Sequence, residues 1–386
     1  MVVVKAVSAR IILDSRKEKT VFVSVETDAG NFSASAPMGK SRGKHEAEPY
    51  KKSIEDDIKK IDDFTEYFSK EVIEKFDDLH RVEDIVDGHL GANTTFALES
   101  AILKALAKEQ KKEVWQLINP SARKFPRLVG NCIGGGEHTK TDGKKPDFQE
   151  FHLIPKTDNV EEAFRIMKDG KEHAGKILEK ADENFSGKRS DEDAWITSLT
   201  DKEVLDVLSE LKIPLGIDVA SSTFYSRKKY HYKNPLFNRT EEEHFSYLAN
   251  LIENYELDYI EDPFDEDDFK SFAKIHEKFP GRMIVGDDLT TTNYKRLKEA
   301  VKNKSINAII VKPNQIGFLT EVKRVCELAS ENGVKKVFSH RSGETDENIL
   351  ADLAFGFGAE FFKSGITGKV REAKIKRLIE IQKGLK

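Results

Sequence analysis

The sequence is poor in cysteine, has no long apolar run and carries no strong excess of either charge. Its two cysteines, Cys132 and Cys326, stand too far apart for a metal-binding or redox motif. We therefore expect a reducing compartment. No stretch of about 18 apolar residues is present, so we expect no membrane-spanning helix. The segment from Met1 to Lys5 is too short for a signal peptide, and the expected location is the cytoplasm.

The charged residues nearly cancel. The chain has 63 basic and 68 acidic residues, and a net charge of −5 gives no field suited to nucleic acid. The lysines alternate with acids, as on solvated helices. A length of 386 residues, 38% of them hydrophobic, is enough for two or three domains, or for a barrel with one smaller unit.

Between residues 215 and 365, polar side chains follow six successive apolar runs. Their spacing fits a strand and a crossover helix each time. In a (β/α)₈ barrel the carboxyl ends of the strands converge on one site. We therefore expect three carboxylates, two lysines, one histidine and one arginine to meet there. The residues at the six positions are Asp218, Glu261, Asp287, Lys312, His340 with Arg341 and Ser342, and Lys363.

A single acid after an apolar run is usually a helix cap or a solvated loop residue. Structural needs alone, however, give no reason to place polar residues at the ends of six successive strands. Carboxylates on three consecutive strands suit Mg²⁺, which prefers oxygen ligands. A lysine on the next strand, Lys312, suits removal of the α-proton of a metal-bound carboxylate. Arg341 suits a bidentate grip on phosphate.

The segments around these positions resemble those of the enolases, the superfamily that is itself the general example of this chemistry. They occur in the family's order and the resemblance covers nearly the whole chain. The strongest matches are Gly216-Ile217-Asp218-Val219-Ala220-Ser221-Ser222, Ile260-Glu261-Asp262-Pro263-Phe264, Val285-Gly286-Asp287-Asp288-Leu289-Thr290, Val311-Lys312-Pro313-Asn314-Gln315-Ile316-Gly317, Ser339-His340-Arg341-Ser342-Gly343-Glu344-Thr345 and Lys363-Ser364-Gly365.

The resemblance implies a role for each matching residue. Asp218, Glu261 and Asp287 would hold Mg²⁺, and Ser41, in a lid loop from Pro37 to Ala47, would help hold a second Mg²⁺. Lys312 would be the base and Glu192 the general acid, with Glu150 beside it. The substrate would be contacted by His138, Glu150, His340, Arg341, Ser342 and Lys363.

These roles carry two electrostatic expectations. The pKa of Lys312 should be lowered by Lys363 and the metal, since a lysine acts as a base only when neutral. The pKa of Glu192 should be raised by burial or by a like charge, for which Glu150 and Asp193 are candidates.

Three places depart from the enolase pattern. Asp193 and Ala194 stand where the family usually has two glycines, so we expect a stiffer acid loop with one more negative charge. Met38 and Lys40 replace small residues in the lid. The family usually has an acidic residue near the position of Phe22, and that residue pairs across the family's dimer. The sequence therefore does not establish the familiar dimer contact.

The N-terminal third predicts an antiparallel meander followed by helices. Strands are expected over residues 2–9, 20–26 and 32–36, and Ile54, Ile58 and Ile61 repeat at helical spacing. The expected architecture is α/β: an N-terminal α+β domain over residues 1–127 and a (β/α)₈ barrel of the TIM type over residues 128–386.

The function implied is that of an enolase, the reversible Mg²⁺-dependent dehydration of 2-phosphoglycerate to phosphoenolpyruvate. Two alternatives stay open. One is a paralogue that removes the α-proton of another 2-substituted carboxylate, and the other is a non-catalytic scaffold on an enolase frame, although a scaffold has no use for unpaired charges at a strand-end cavity. The expected assembly is a homo-oligomer, a homodimer or an octamer, with no nucleic-acid or membrane partner.

Overall fold

A computed structural model describes residues 1–40, 43–141 and 143–385. The chain begins with an antiparallel three-stranded sheet in the order β1-β2-β3, which confirms the predicted meander. The turn between the last two strands contains Gly30, whose φ of 119° lies in the left-handed region that suits glycine. The strands are β1 (Val4–Leu13), β2 (Lys19–Thr27) and β3 (Gly30–Ser35).

Helices cover one face of this sheet. The first begins after Ser53, whose side chain accepts the Asp56 N–H as an N-cap, and it buries Ile54 and Ile61 as the helical repeat predicts. The longest is buried almost all round, because it lies between the sheet and the second part of the chain. These helices are α1 (Ile54–Asp63), α2 (Thr65–Phe68), α3 (His80–Val86), α4 (Ala92–Glu109) and α5 (Val114–Ile118), with a 3₁₀ turn at Phe76–Leu79.

The second part is a closed barrel of eight strands, in which the last strand pairs with the first. This confirms the predicted barrel, with one difference in direction. The second barrel strand runs antiparallel to both of its neighbours, because a hairpin rather than a crossover helix joins it to the first. The barrel strands are β4 (Arg127–Gly134), β5 (Glu150–Leu153), β7 (Leu215–Asp218), β11 (Tyr259–Glu261), β12 (Met283–Gly286), β13 (Ala308–Val311), β14 (Lys335–Ser339) and β15 (Phe361–Gly365).

Amphipathic helices surround the barrel and bury their apolar faces against it. Thr200 and Glu203 form a capping box at the start of one helix, in which each side chain accepts the other residue's backbone N–H. The helices are α6 (Val160–Ala181), α7 (Asp201–Ser209), α8 (Glu241–Asn254), α9 (Phe269–Lys278), α10 (Tyr294–Lys302), α11 (Leu319–Glu331), α12 (Ile349–Gly356) and α13 (Lys369–Gly384).

Minor strands complete the architecture. A short strand, β6 (Trp195–Ile196), lies beside β4. A small sheet contains β8 (Tyr225–Ser226), β9 (Lys229–Lys233) and β10 (Leu236–Thr240). Within the described ranges, no helix combines the length and apolarity that a bilayer crossing needs.

Candidate active site

The predicted polar positions lie together at one rim of the barrel. Asp218 and Glu261 are the last residues of β7 and β11 and stand in register on paired strands. Glu150 reaches the same rim by a different route: it is the first residue of an antiparallel strand, and it pairs in register with Asp218. The antiparallel direction of β5 therefore adds a carboxylate to the site.

Lys363 is the buried centre of this carboxylate group. Its Nζ lies 3.0 Å from Asp218 Oδ2, 2.8 Å from Glu261 Oε1 and 3.2 Å from Glu150 Oε2. Burial alone lowers the pKa of Lys363, but Asp218, Glu150 and Glu261 outweigh it and raise that pKa well above its usual value. Lys363 is therefore an ammonium.

The crowding of carboxylates affects the pKa of Glu261 most clearly. Burial, and after it the charge of Asp218, raises the pKa of the Glu261 carboxyl well above its usual range despite the nearby Lys363. Tyr259, two residues earlier on β11, donates its hydroxyl to Glu261 Oε2 at 2.6 Å. One lysine thus does not neutralise the group.

Lys312 and Asp287 form the second ion pair of the site. Lys312 Nζ donates to Asp287 Oδ2, while Asp287 Oδ1 is buried without a hydrogen-bond partner. Burial lowers the pKa of Lys312, but the Asp287 carboxylate outweighs burial and raises it. Lys363 opposes this rise, as expected, so the expected lowering of the pKa depends on the metal ion that Asp287 would bind.

Asp262 fixes the backbone that presents Asp287. Its two carboxylate oxygens accept the Asp287 and Asp288 N–H groups at 2.9 and 2.7 Å. Asp262 itself has a φ of 41°, an uncommon backbone conformation for a non-glycine residue. The sequence signal for this role is the position of Asp262 directly after Glu261, at the end of β11.

The donor set fits a hard divalent cation. Asp218, Glu261 and Asp287 offer only carboxylate oxygens, one of which has no partner, and two lysines leave the three carboxylates one positive charge short. Among the described residues, ligand atoms of Asp262, Asp287 and Asp288 lie within 4.8 Å of one another, as do those of His138, Glu150 and Glu192, and these groups share only Asp287 with the predicted set. The site can therefore hold a divalent metal.

Glu192 lines the same cavity and lies beside Glu150 of the carboxylate group. Its Oε2 accepts the Asn131 side-chain N–H at 3.1 Å and lies 3.2 Å from His340 Nε2, and its Oε1 lies 3.5 Å from His138 Nδ1. Burial and the charge of Glu150 raise the pKa of Glu192, but His340 and His138 outweigh both and lower it to about 2.

The expected rise in the pKa of Glu192 is therefore wrong for the site without substrate. The two histidines were recognised separately in the sequence, but their convergence on one carboxylate is a tertiary contact. Glu150 is likewise held by histidines: His138 Nδ1 lies 3.2 Å from its Oε1 and His152 Nε2 lies 2.8 Å from its Oε2. His152, on the buried interior of β5, was not anticipated.

The predicted phosphate-binding residues meet the lid. The Arg341 guanidinium donates to Glu46 Oε2 at 2.9 Å and to Asn314 Oδ1 at 3.3 Å. Ser342 Oγ accepts the backbone N–H of Lys40 at 2.8 Å. A Cβ at Gly39 would overlap the Arg341 guanidinium, so the lid approaches Arg341 closely only because residue 39 is glycine.

Two further points concern the lid and its neighbours. Ser41, the predicted ligand of a second metal ion, lies outside the described residues. Arg371, on α13, donates to His340 Nδ1 at 2.8 Å and to the Ser342 carbonyl at 2.6 Å. Arg371 thus holds the loop that carries the predicted substrate-binding residues, and this contact depends on the fold rather than on a local motif.

The altered acid loop adopts the backbone that its missing glycine would favour. Asp193 has a φ of 62°, in the left-handed region, which Asp tolerates better than most residues. Ala194 is buried without a positive φ. The loop packs directly on β15, since a Cβ at Gly365 would stand 2.6 Å from the Glu192 carbonyl.

Comparison with known proteins matches both parts of the chain to family models. The model described as "Enolase, N-terminal domain" matches residues 4–118, and "Enolase, C-terminal TIM barrel domain" matches residues 123–386. A protein named Enolase from Pyrobaculum aerophilum is 36% identical over 396 residues, covering 94% of this chain and 91% of that protein. One from Methanocorpusculum labreanum is 37% identical, with 97% of each chain covered. One from Natronomonas pharaonis is 35% identical, with 99% of each covered.

Proposed function

The chain belongs to the enolase family, and on that premise we propose how its residues perform the family's reaction. It is a hydro-lyase, a phosphopyruvate hydratase that interconverts 2-phosphoglycerate and phosphoenolpyruvate in glycolysis and gluconeogenesis. The observation that carries the residue assignment is that two lysines, the carboxylates of Asp218 and Asp287, and Glu192 line one cavity, with Glu261 bonded to Lys363 beside it.

We propose that Lys312 removes the α-proton and Asp218, Glu261 and Asp287 hold Mg²⁺. Bound there, the ion would supply the positive charge that stabilises the ene-diolate and would weaken the pull of Asp287 on the Lys312 proton. Ser41 is proposed as a ligand of a second Mg²⁺, on the resemblance alone. Lys363 keeps its ammonium charge next to the site and supports the developing negative charge.

Glu192 is proposed as the general acid that protonates the leaving hydroxyl, with Glu150 beside it. Supporting this, Glu192 and Lys312 line the same cavity, and Glu192 has other charged neighbours than Lys312 does. For the acid to be protonated, the histidines that lower its pKa must release it, and a negatively charged substrate next to His138 and His340 would compete for them.

Arg341 and Ser342 are proposed to bind the substrate phosphate. Glu46 occupies Arg341 at 2.9 Å, so the phosphate must replace this carboxylate as the partner of the guanidinium. An exchange of partners between Arg341 and the lid would couple substrate binding to lid position.

The acid assignment is tested by separating the two half-steps. In Glu192→Gln, exchange of the α-proton with deuterated water should continue, because Lys312 is intact, while dehydration measured by phosphoenolpyruvate absorbance should fall by ~10²-fold or more. Asp191→Asn, in the same loop, is the matched control and should change dehydration much less. Equal loss of both half-steps in Glu192→Gln would remove Glu192 from the acid role.

The remaining assignments are proposed on the family relationship. The N-terminal domain would span residues 1–127 and the barrel residues 128–386, which puts the boundary at the start of β4. We further propose a cytoplasmic homo-oligomer, a homodimer or octamer, for which light scattering of the purified protein is the test. The Arg10 guanidinium lies 4.3 Å over the Phe22 ring. Near this position the family usually has an acidic residue that pairs across the dimer, so a dimer of this chain would use a different contact there.

A further inference from the structure

A buried lysine on α6 contacts the acid loop. Lys171 Nζ donates to the carbonyl and to Oδ2 of Asp193, the latter at 3.2 Å, and to the Thr367 hydroxyl. Thr367 in turn donates to Asp193 Oδ2. The Lys171 side chain is 2% exposed, so its ammonium is almost wholly withdrawn from water.

A lysine buried to this degree requires a fixed anionic partner. Burial lowers the pKa of Lys171, and the Asp193 carboxylate opposes that effect. The other charged and titratable groups near Lys171 are Arg189 and Cys132. Neither supplies a fixed negative charge, since Arg189 is a cation and burial raises the pKa of the Cys132 thiol to about 12. Asp193 is thus the counter-ion on which Lys171 depends.

The contact holds a loop whose backbone is unusual. Asp193 has a φ of 62°, and its N–H donates to the Ser190 carbonyl at 3.0 Å, while the Ser190 N–H donates to the Ala194 carbonyl at 2.8 Å. Glu192, inside this turn, contacts β4 through Asn131 and β15 through its carbonyl. Among the described residues of the loop, Asp193 adds the bond to α6.

We propose that Lys171, Asp193 and Thr367 form a clamp that positions Glu192 for proton transfer. In this chain the side chain of Asp193 holds the acid loop in place, where a glycine at the same position would offer no side chain to bind Lys171. This inference rests on the proposed role of Glu192. Lys171 and Asp193 are positioning residues, since neither contacts the substrate cavity, and their effect reaches the reaction through the location of one carboxylate.

The test compares dehydration with α-proton exchange in Lys171→Met and Asp193→Asn. Each variant should lower dehydration by ~10-fold or more, because displacing an acid by about 1 Å has effects of that size. Exchange at Lys312 should stay within about threefold of the wild type, since the base side of the cavity is untouched. Backbone amides of residues 190–194 should exchange faster in both variants. Lys176→Met, an exposed lysine of the same helix, is the matched control.

A double variant distinguishes a clamp from general loss of structure. Lys171→Met with Asp193→Asn leaves neither charge unpaired, so its loss of dehydration should be smaller than the product of the two single losses. Should Lys171→Met fail to fold, Asp193→Asn and Asp193→Gly decide the question, because the Asp193 side chain is 36% exposed and its replacement opens no cavity in the core.

An unchanged ratio of dehydration to exchange in Asp193→Asn, with unchanged loop protection, would overturn the clamp. That result leaves the acid role of Glu192 standing, because Glu192→Gln tests it directly. If Glu192→Gln loses neither half-step, the proposed acid is wrong, whatever the Asp193 variants do.

Discussion

Adding Mg²⁺ to metal-free protein should raise its thermal stability, and Asp287→Asn should remove much of that gain. Three carboxylates face two ammonium groups at the rim, and Asp287 Oδ1 is a buried acceptor without a partner. The raised pKa of Glu261 reflects the same shortage of positive charge. A divalent cation relieves it only in the folded protein, because the three side chains are far apart in an unfolded chain.

The expected size follows from mass action. At a Mg²⁺ concentration one hundred times the dissociation constant, the free energy of unfolding rises by ~2.7 kcal/mol. With an unfolding entropy of ~2.1 cal/mol/K per residue, the 386-residue chain should gain ~3 °C in Tm. Removing one carboxylate ligand should weaken binding by ~10-fold or more, which reduces the gain at the same concentration to ~1.4 kcal/mol, or ~2 °C.

Calorimetry of chelator-treated protein, with and without Mg²⁺, measures both values. Asp169→Asn, an exposed carboxylate on α6, is the control and should show the full wild-type shift. Mg²⁺ should also lower the pKa of Lys312, since its proton is held by the Asp287 charge. A Tm that does not respond to Mg²⁺, or an equal response in Asp287→Asn and wild type, would refute the assignment of these ligands.

Three further outcomes are expected. Lys312→Ala should abolish exchange of the α-proton with deuterated water, and exchange at the wild-type rate would reassign the base. Arg341→Met should raise the Michaelis constant for 2-phosphoglycerate by ~10-fold or more, since a charge-assisted hydrogen bond contributes ~1.5–3 kcal/mol; an unchanged constant would move the phosphate elsewhere. Burial raises the pKa of Asp201 to about 8, so its contribution to stability is complete below about pH 4 and is lost as the pH rises to about 8, by about 1.4 kcal/mol per pH unit. Asp201→Asn keeps an acceptor for the Phe148 N–H and should flatten this decline of Tm with pH, whereas an equal slope would show that Asp201 is charged in the folded protein.

Much of the site followed from local sequence because of a property of parallel strands. Their carboxyl ends meet at one rim, so residues such as Asp218 and Lys312 could be assigned to one cavity from their positions after apolar runs. A helix start such as Thr200 is readable from the sequence for a similar reason, since a cap bonds to a residue two or three positions away.

The protonation states were not readable in that way. The pKa of Glu192 shifts opposite to the expectation, and Asp287 raises the pKa of Lys312, because each value depends on which charges the fold brings within a few ångströms. For Glu192 the deciding groups are two histidines, His138 and His340, which come from different loops of the barrel.

The sequence by itself determined the family, the barrel and the set of residues at its rim, because these depend on motifs and periodicities a few residues long. Only the tertiary structure decided that β5 runs antiparallel, which is how Glu150, already expected in the site from the resemblance, reaches the rim. It also decided that Asp193, at a position where the family usually has a glycine, has a buried partner in Lys171 on α6. A pairing of this kind depends on how a helix packs against a loop, and packing is a property of the whole fold that no local pattern contains.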